Sequence, residues 1–137
     1  MAGAEPSLEQ FMAMMPFAVT LGVELRSATP AEVTGTMSWR EELCTAGGVL
    51  HGGALMAFAD TLGAVCAFLN LPAGAGTATI SSSTNMLRSV RSGTVTGTAR
   101  ALHAGRTVIA VRTDLHDDNR RLVAAVTQAQ AVLGASA

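Results

Sequence analysis

The sequence predicts an α+β fold in which an antiparallel sheet wraps around one long central helix. Three observations carry that prediction. An apolar helical pattern runs from about Val49 to Asn70 and is apolar on nearly every side, as a buried helix is. Four strand-like runs follow it closely, separated by tight-turn residues. The chain has 137 residues, 49% apolar and 14% charged, which is material for one core and one domain over 1–137.

Charged residues in an ordinary soluble domain make up about 25% of the chain. A monomer this short and this apolar is hard to cover with polar surface, so the composition predicts a homo-oligomer. Net charge is −1, and all the basic residues are arginines scattered along the chain. With four Phe, one Trp and no Tyr, there is no basic stripe and no array of stacking rings, which argues against nucleic-acid binding. Cys44 and Cys66 form no CxxC pair, and His51, His103 and His116 form no HxxxH or HExxH, so neither a metal nor another cofactor is expected. The two cysteines read as small apolar filler. The N-terminus lacks a positive region, and Pro16 interrupts its apolar run, unlike a signal peptide. Ala54 to Leu71 is nearly long enough to cross a bilayer, but Asp60 lies inside it, and a central Asp costs about 2.5–3.5 kcal/mol on insertion. A buried helix in a cytoplasmic protein, without a membrane partner, is the expectation.

Residues 1–16 are read as an N-terminal tail and helix, with the helix over SLEQFMAMMP, 7–16. Ser7 and Gln10 have capping-box spacing, and Phe11, Met14 and Met15 share one face. Residues 17–40 are read as a strand pair or one long bent strand around Thr29-Pro30, with Val33, Gly35, Met37 and Trp39 alternating against Thr34, Thr36 and Ser38. Residues 41–48 are a loop. In the long helix Leu55, Phe58, Ala59, Leu62, Val65, Cys66 and Leu69 recur at three- and four-residue steps, and NLPAGAG ends it. A meander of four strands is then expected over 78–89, 93–104, 107–117 and 121–133, turning at HAGR (103–106) and DDNR (117–120). An antiparallel sheet that buries one helix must curl around it, which is the hotdog architecture.

The chemistry concentrates in GGVLHGGALMAFAD, residues 47–60. Gly52 and Gly53 at a helix start expose backbone N–H groups with no side chain in front of them. Such an end carries about half a positive charge and can hold the oxyanion that forms on a carbonyl; the same glycines also suit a plain loop-to-helix turn. Asp60 is an expensive group in an apolar helix. It is either a buried structural acceptor or a nucleophile or general base. Gly53 and Asp60 are seven residues apart, on one helix face but about 10 Å apart along the axis. One carbonyl cannot touch both. If both act on one substrate they come from different subunits, as in two antiparallel helices related by a two-fold axis. His51 either positions the glycines by bonding to the loop or transfers protons itself.

These residues resemble the HGG-x6-D signature of PaaI-like acyl-CoA thioesterases of the hotdog superfamily. NMLRSVRSG (85–93) and ARALHAGRTVIAVRTDLHDDNRRLVAAVTQAQAVL (99–133) are similar to the family's later strands, so the resemblance covers about 17–133. It implies hydrolysis of an acyl-CoA thioester to free acid and coenzyme A. The abundant Gly, Ala and Met around the helix suit an aryl or a medium-chain acyl group equally. No cofactor is expected, and the oligomer expected from composition is a homodimer or a homotetramer built as a dimer of dimers. The resemblance implies Asp60 as nucleophile or general base, the Gly52 N–H as carbonyl polariser and His51 at the helix start. Thr45 stands where family members commonly carry Asn, six residues before the histidine, and Thr79 is aligned with a Ser or Thr facing the acid; Ser81 and Ser83 share its strand parity. Gly53 would meet the substrate. Coenzyme A carries phosphates, so Arg88, Arg91 and Arg106 are docking residues or simply solvated. Phe58 and Leu62 would line the acyl pocket. Two other readings stay open: a non-catalytic hotdog protein that binds acyl-CoA or an acyl carrier, and a dehydratase.

Overall fold

Ser7 opens the first helix as its spacing with Gln10 predicts. Its hydroxyl accepts from the Gln10 N–H at 3.1 Å, and the Gln10 side chain accepts from the Ser7 N–H at 2.8 Å. The computed structural model describes residues 6–134, so the first five residues of the expected tail and the last three of the expected domain lie outside the described residues. Helix α1 is Leu8–Ala13 and α2 is Pro16–Leu21. Strands β1 (Glu24–Ala28) and β2 (Val33–Ser38) follow, then a 3-10 turn at Glu41–Leu43 and helix α3, Gly52–Leu69. Strands β3 (Gly76–Met86), β4 (Thr94–Ala104), β5 (Val108–His116) and β6 (Leu122–Leu133) complete the fold.

Two expectations need correction here. Residues 17–40 do not start as a strand, because 16–21 form α2. Pro16 sits in its first turn, where a missing N–H is harmless, and Gly22 ends it in the left-handed region at φ 79°. The four later strands are not a simple meander either. The antiparallel sheet runs β1-β2-β4-β5-β6-β3, so β3 pairs with β6 at one edge and β4 pairs with β2. Residues 87–93 are too long for a tight hairpin. They cross the N-terminal end of α3, where the Val90 carbonyl accepts from the Leu50 N–H at 2.9 Å.

The sheet curls around α3. Val33 and Met37, Val95 and Ala99, and Ile109, Val111 and Leu115 all point inward and are buried. Gly35 and Gly97 are register partners beneath Leu62. A Cβ at Gly35 would lie 2.8 Å from a Leu62 methyl, and one at Gly97 would lie 2.4 Å from the other methyl. The glycine pair therefore sets how closely the helix sits on the sheet. Phe58 and Leu62, expected to line an acyl pocket, are fully buried core residues, each worth about 1.5–3 kcal/mol of burial. Cys66 is buried beside them, and burial pushes its thiol pKa up, which fits filler rather than a nucleophile.

Helix α3 is not buried all round. Gly53, Met56 and Phe68 are exposed, and Ala57, Asp60 and Ala64 on the same face are half-buried. The helix has the length and apolarity of a membrane span, but its other face packs on the sheet. Strand β3 is bonded on one side only and is exposed along most of its length.

Candidate active site

The start of α3 is held from four directions. His51 is its N-cap, and His51 Nδ1 accepts from the Gly53 N–H at 2.7 Å. The His51 N–H donates to the Leu43 carbonyl at 2.8 Å. Gly47 and Gly48 turn with φ of 84° and 73°, a region that suits glycine. Trp39 Nε1 donates to the Gly48 carbonyl at 3.0 Å, and Arg91 Nη1 donates to the Gly47 carbonyl at 3.0 Å. The Gly52 N–H, by contrast, stands in the first helical position with no partner among the described residues. It is the open donor at the positive end of the helix dipole.

Asp60 lies two turns further on. Its Oδ1 accepts from Thr79 Oγ1 at 2.9 Å and from Gln128 Nε2 at 2.9 Å. Its Oδ2 has no hydrogen-bond partner among the described residues. Thr79 is itself oriented. Gln130 Nε2 donates to Thr79 Oγ1 at 2.7 Å, and Thr77 Oγ1 donates to Gln130 Oε1 at 3.1 Å. With its lone pair engaged by Gln130, the Thr79 hydroxyl has its proton free to give to Asp60.

Thr79 therefore meets Asp60, whereas Ser81 and Ser83 do not share its side. A bulge between Thr79 and Ser81 shifts the register by one residue, which exchanges the faces of everything beyond it. Thr79 pairs with inward-facing Gln130, but Ser83 pairs with exposed Thr127. Sequence reasoning missed Gln128 and Gln130. Both are buried, at 2% and 0% exposure, although glutamine rarely is. The signal was available: on β6 they share the parity of Val126 and Val132, which point toward the core.

The other expected residues disperse. Thr45 lies in the exposed turn, its N–H donating to the Val49 carbonyl at 2.9 Å, with no side-chain bond to Asp60 or His51. Arg91 holds that same loop. Arg88 lines a cleft with Gly52, Leu55 and Met86. Arg106 is in the β4–β5 turn, next to Thr107, whose carbonyl accepts from the Val132 N–H. That turn lies where β3 begins, because Gly76 pairs with Leu133, while Gly52 lies near its end at Met86. Within one chain Arg106 and Gly52 are thus at opposite ends of an 11-residue strand, about 35 Å long. No cluster of three His, Cys, Asp or Glu side chains suited to a metal occurs among the described residues.

Gly63 faces Gln128, and a Cβ there would lie 2.0 Å from Gln128 Oε1. Gly63→Ala should push the amide off Asp60 and cost about 1–3 kcal/mol of stability through overpacking. Chemical denaturation of the variant would measure it; a midpoint equal to wild type would mean that the site has slack.

The thioesterase superfamily model matches residues 47–124, more than half of the chain. The chain belongs to the thioesterase superfamily. It is 31% identical over 113 residues to "Putative esterase Rv1847" of Mycobacterium tuberculosis, covering 80% of this chain and 81% of that one. Thioesterase HI1161 of Haemophilus influenzae superposes with a TM-score of 0.89 at 26% identity, covering 96% and 93% of the two chains. A mutant form of thioesterase PA1618 of Pseudomonas aeruginosa gives 0.88 at 28%, covering 95% and 96%. The hotdog architecture expected from the sequence is the one observed, and thioester hydrolysis is the general activity of the superfamily to which the chain belongs.

Proposed function

We propose that this thioesterase hydrolyses aryl- or medium-chain acyl-CoA at sites each built from two subunits. The observation that carries the reading is the separation of two unsatisfied groups on α3. The Gly52 N–H and the Asp60 Oδ2 are needed at one carbonyl, yet eight residues of helix hold them about 12 Å apart. Antiparallel pairing of two α3 helices along their exposed face brings each Asp60 to the other's N-terminus. The bare edge of β3 supports the same contact, since it can pair with its own copy.

The carbonyl oxygen accepts from the Gly52 N–H of one subunit. The partner's Asp60 either takes a proton from a water that attacks the carbonyl carbon or attacks it directly through Oδ2. In both routes the carbon–sulfur bond breaks as the tetrahedral oxyanion collapses, and coenzyme A leaves as a thiol after protonation; direct attack leaves an anhydride for water to open. His51 sets the helix start. Arg88 meets the phosphate-bearing end of the substrate, and a two-fold axis carries the partner's Arg106 toward the same end. The enzyme works in the cytoplasm, without a cofactor, as a homodimer or a dimer of dimers.

A thiol-release assay over acetyl-, hexanoyl-, lauroyl-, benzoyl-, phenylacetyl- and hydroxyphenylacetyl-CoA tests this reading. Turnover of at least one ester by an oligomer is the expected result. Tight acyl-CoA binding with no turnover would instead make the chain a binding module, and hydration of an enoyl-CoA would make it a dehydratase.

A further inference from the structure

We infer that the acyl group lodges between α2 and the start of α3, in a cleft walled by Phe17, Leu21, Leu43 and Cys44, and that Phe17 limits its length. The inference rests on the acyl-CoA hydrolase reading above and adds where the acyl group goes. Two clefts open at the N-terminus of α3. One, of about 310 Å³, lies against the end of β3 and is lined by Gly52, Leu55 and Met86 together with Arg88 and Ser89. The other, of about 280 Å³, lies against α2 and reaches His51, Gly53 and Ala54. Its one acidic wall residue is Glu42.

A thioester bound at the Gly52 N–H has a cleft for each of its halves, and charge decides which half takes which. The coenzyme arm, with its phosphates beyond the cleft, runs toward the Arg88 side and away from Glu42, as their charges favour. The acyl half then takes the α2 cleft, where aliphatic, aromatic and thiol side chains replace water. Size decides the rest. A cleft of this volume is at the small end of ligand pockets, which run from about 300 to 1,000 Å³. It suits a compact acyl group, an aryl ring or a medium chain, and it stops a long one.

Phe17 is the side chain that makes the stop. It is 65% exposed, so the hydrophobic core does not require it. It sits one residue into α2, whose position is fixed by buried Ala18 and Leu21. The ring thus lines the cleft on a helix whose seating does not depend on it. Substituting it should leave the fold intact, as substitutions at exposed positions usually do.

The test compares kcat/KM for acetyl-, hexanoyl-, benzoyl- and lauroyl-CoA in the full-length wild type, Phe17→Ala, Phe17→Trp and Arg88→Ala. Phe17→Ala should raise the lauroyl-to-hexanoyl ratio about tenfold or more, the scale on which apolar pockets discriminate by size. Phe17→Trp should lower hexanoyl and benzoyl relative to acetyl by a similar factor. Arg88→Ala should raise KM for every ester alike and leave the acyl ratios unchanged. If both Phe17 variants keep the wild-type ratios in an active enzyme, the acyl group lies elsewhere and the inference fails alone. If the Arg88 variant moves the acyl ratios while the Phe17 variants do not, the two clefts exchange roles and the inference is overturned. If wild type turns over no ester, the hydrolase reading fails first and takes this one with it.

Discussion

Replacing Asp60 with asparagine is expected to lower kcat by a factor of about 10² to 10⁴, the range that a positioned general base contributes, with no loss of fold or of oligomeric state. The geometry explains why the two effects should separate. Both hydrogen bonds that tie the side chain to the sheet end on one oxygen, Oδ1, which accepts from Thr79 and Gln128. Asparagine keeps that oxygen. What changes is the other position, where a free carboxylate oxygen becomes an amide nitrogen that can neither accept a proton nor attack a carbonyl. The variant also loses a half-buried charge, so its stability should match or exceed that of wild type. Thiol release and thermal unfolding measured on the same preparation would check both halves. A wild-type rate in the variant would remove Asp60 from the chemistry. A slow variant that is also unfolded would mean that the carboxylate is mainly structural.

The features legible in the sequence were those written in local patterns. The central helix was legible because its apolar residues recur at helical steps over some twenty positions, and Asp60 was legible because it interrupts them. The inward faces of β2, β4 and β5 follow simple alternation. What was hidden depends on contacts that no local pattern records. Ile80, in the bulge region of β3, is as good a strand former as any residue there, so nothing warns that parity changes after Thr79 and that Ser81 and Ser83 turn away. Arg91 donates to a carbonyl 44 residues distant, and backbone acceptors leave no mark on composition. Helix α2 is two turns or less, shorter than the window in which helical periodicity can be told from alternation. Gln128 and Gln130 were in plain view as polar residues at core parity. Their meaning depended on knowing that β6 runs between β5 and β3 rather than at the end of a meander.

Subunit mixing should restore activity that neither parent variant has. Asp60→Asn removes the free carboxylate oxygen. Gly52→Pro removes the open N–H, and it does so at the one helical position where proline is well tolerated. The preceding residue is already suited to it, since His51 is extended at φ −60° and ψ 135°. A Cβ at this position would meet only the flexible end of Met86, at 3.3 Å. Gly52→Pro alone should lose about 10² to 10³ in kcat, as removal of an oxyanion donor does elsewhere, while Gly52→Ala keeps the N–H and should retain far more activity. If each site takes Asp60 from one subunit and Gly52 from the other, a mixed dimer has one site with both defects and one with neither. Random pairing makes about half the dimers mixed, so co-expression in equal amounts should recover about a quarter of wild-type activity. If both groups served one site within a single subunit, every site in the mixture would carry one defect or the other, and nothing would be recovered. The two outcomes differ by orders of magnitude because about 12 Å of helix cannot be shortened: the separation of Gly52 and Asp60 forces the choice between one chain and two.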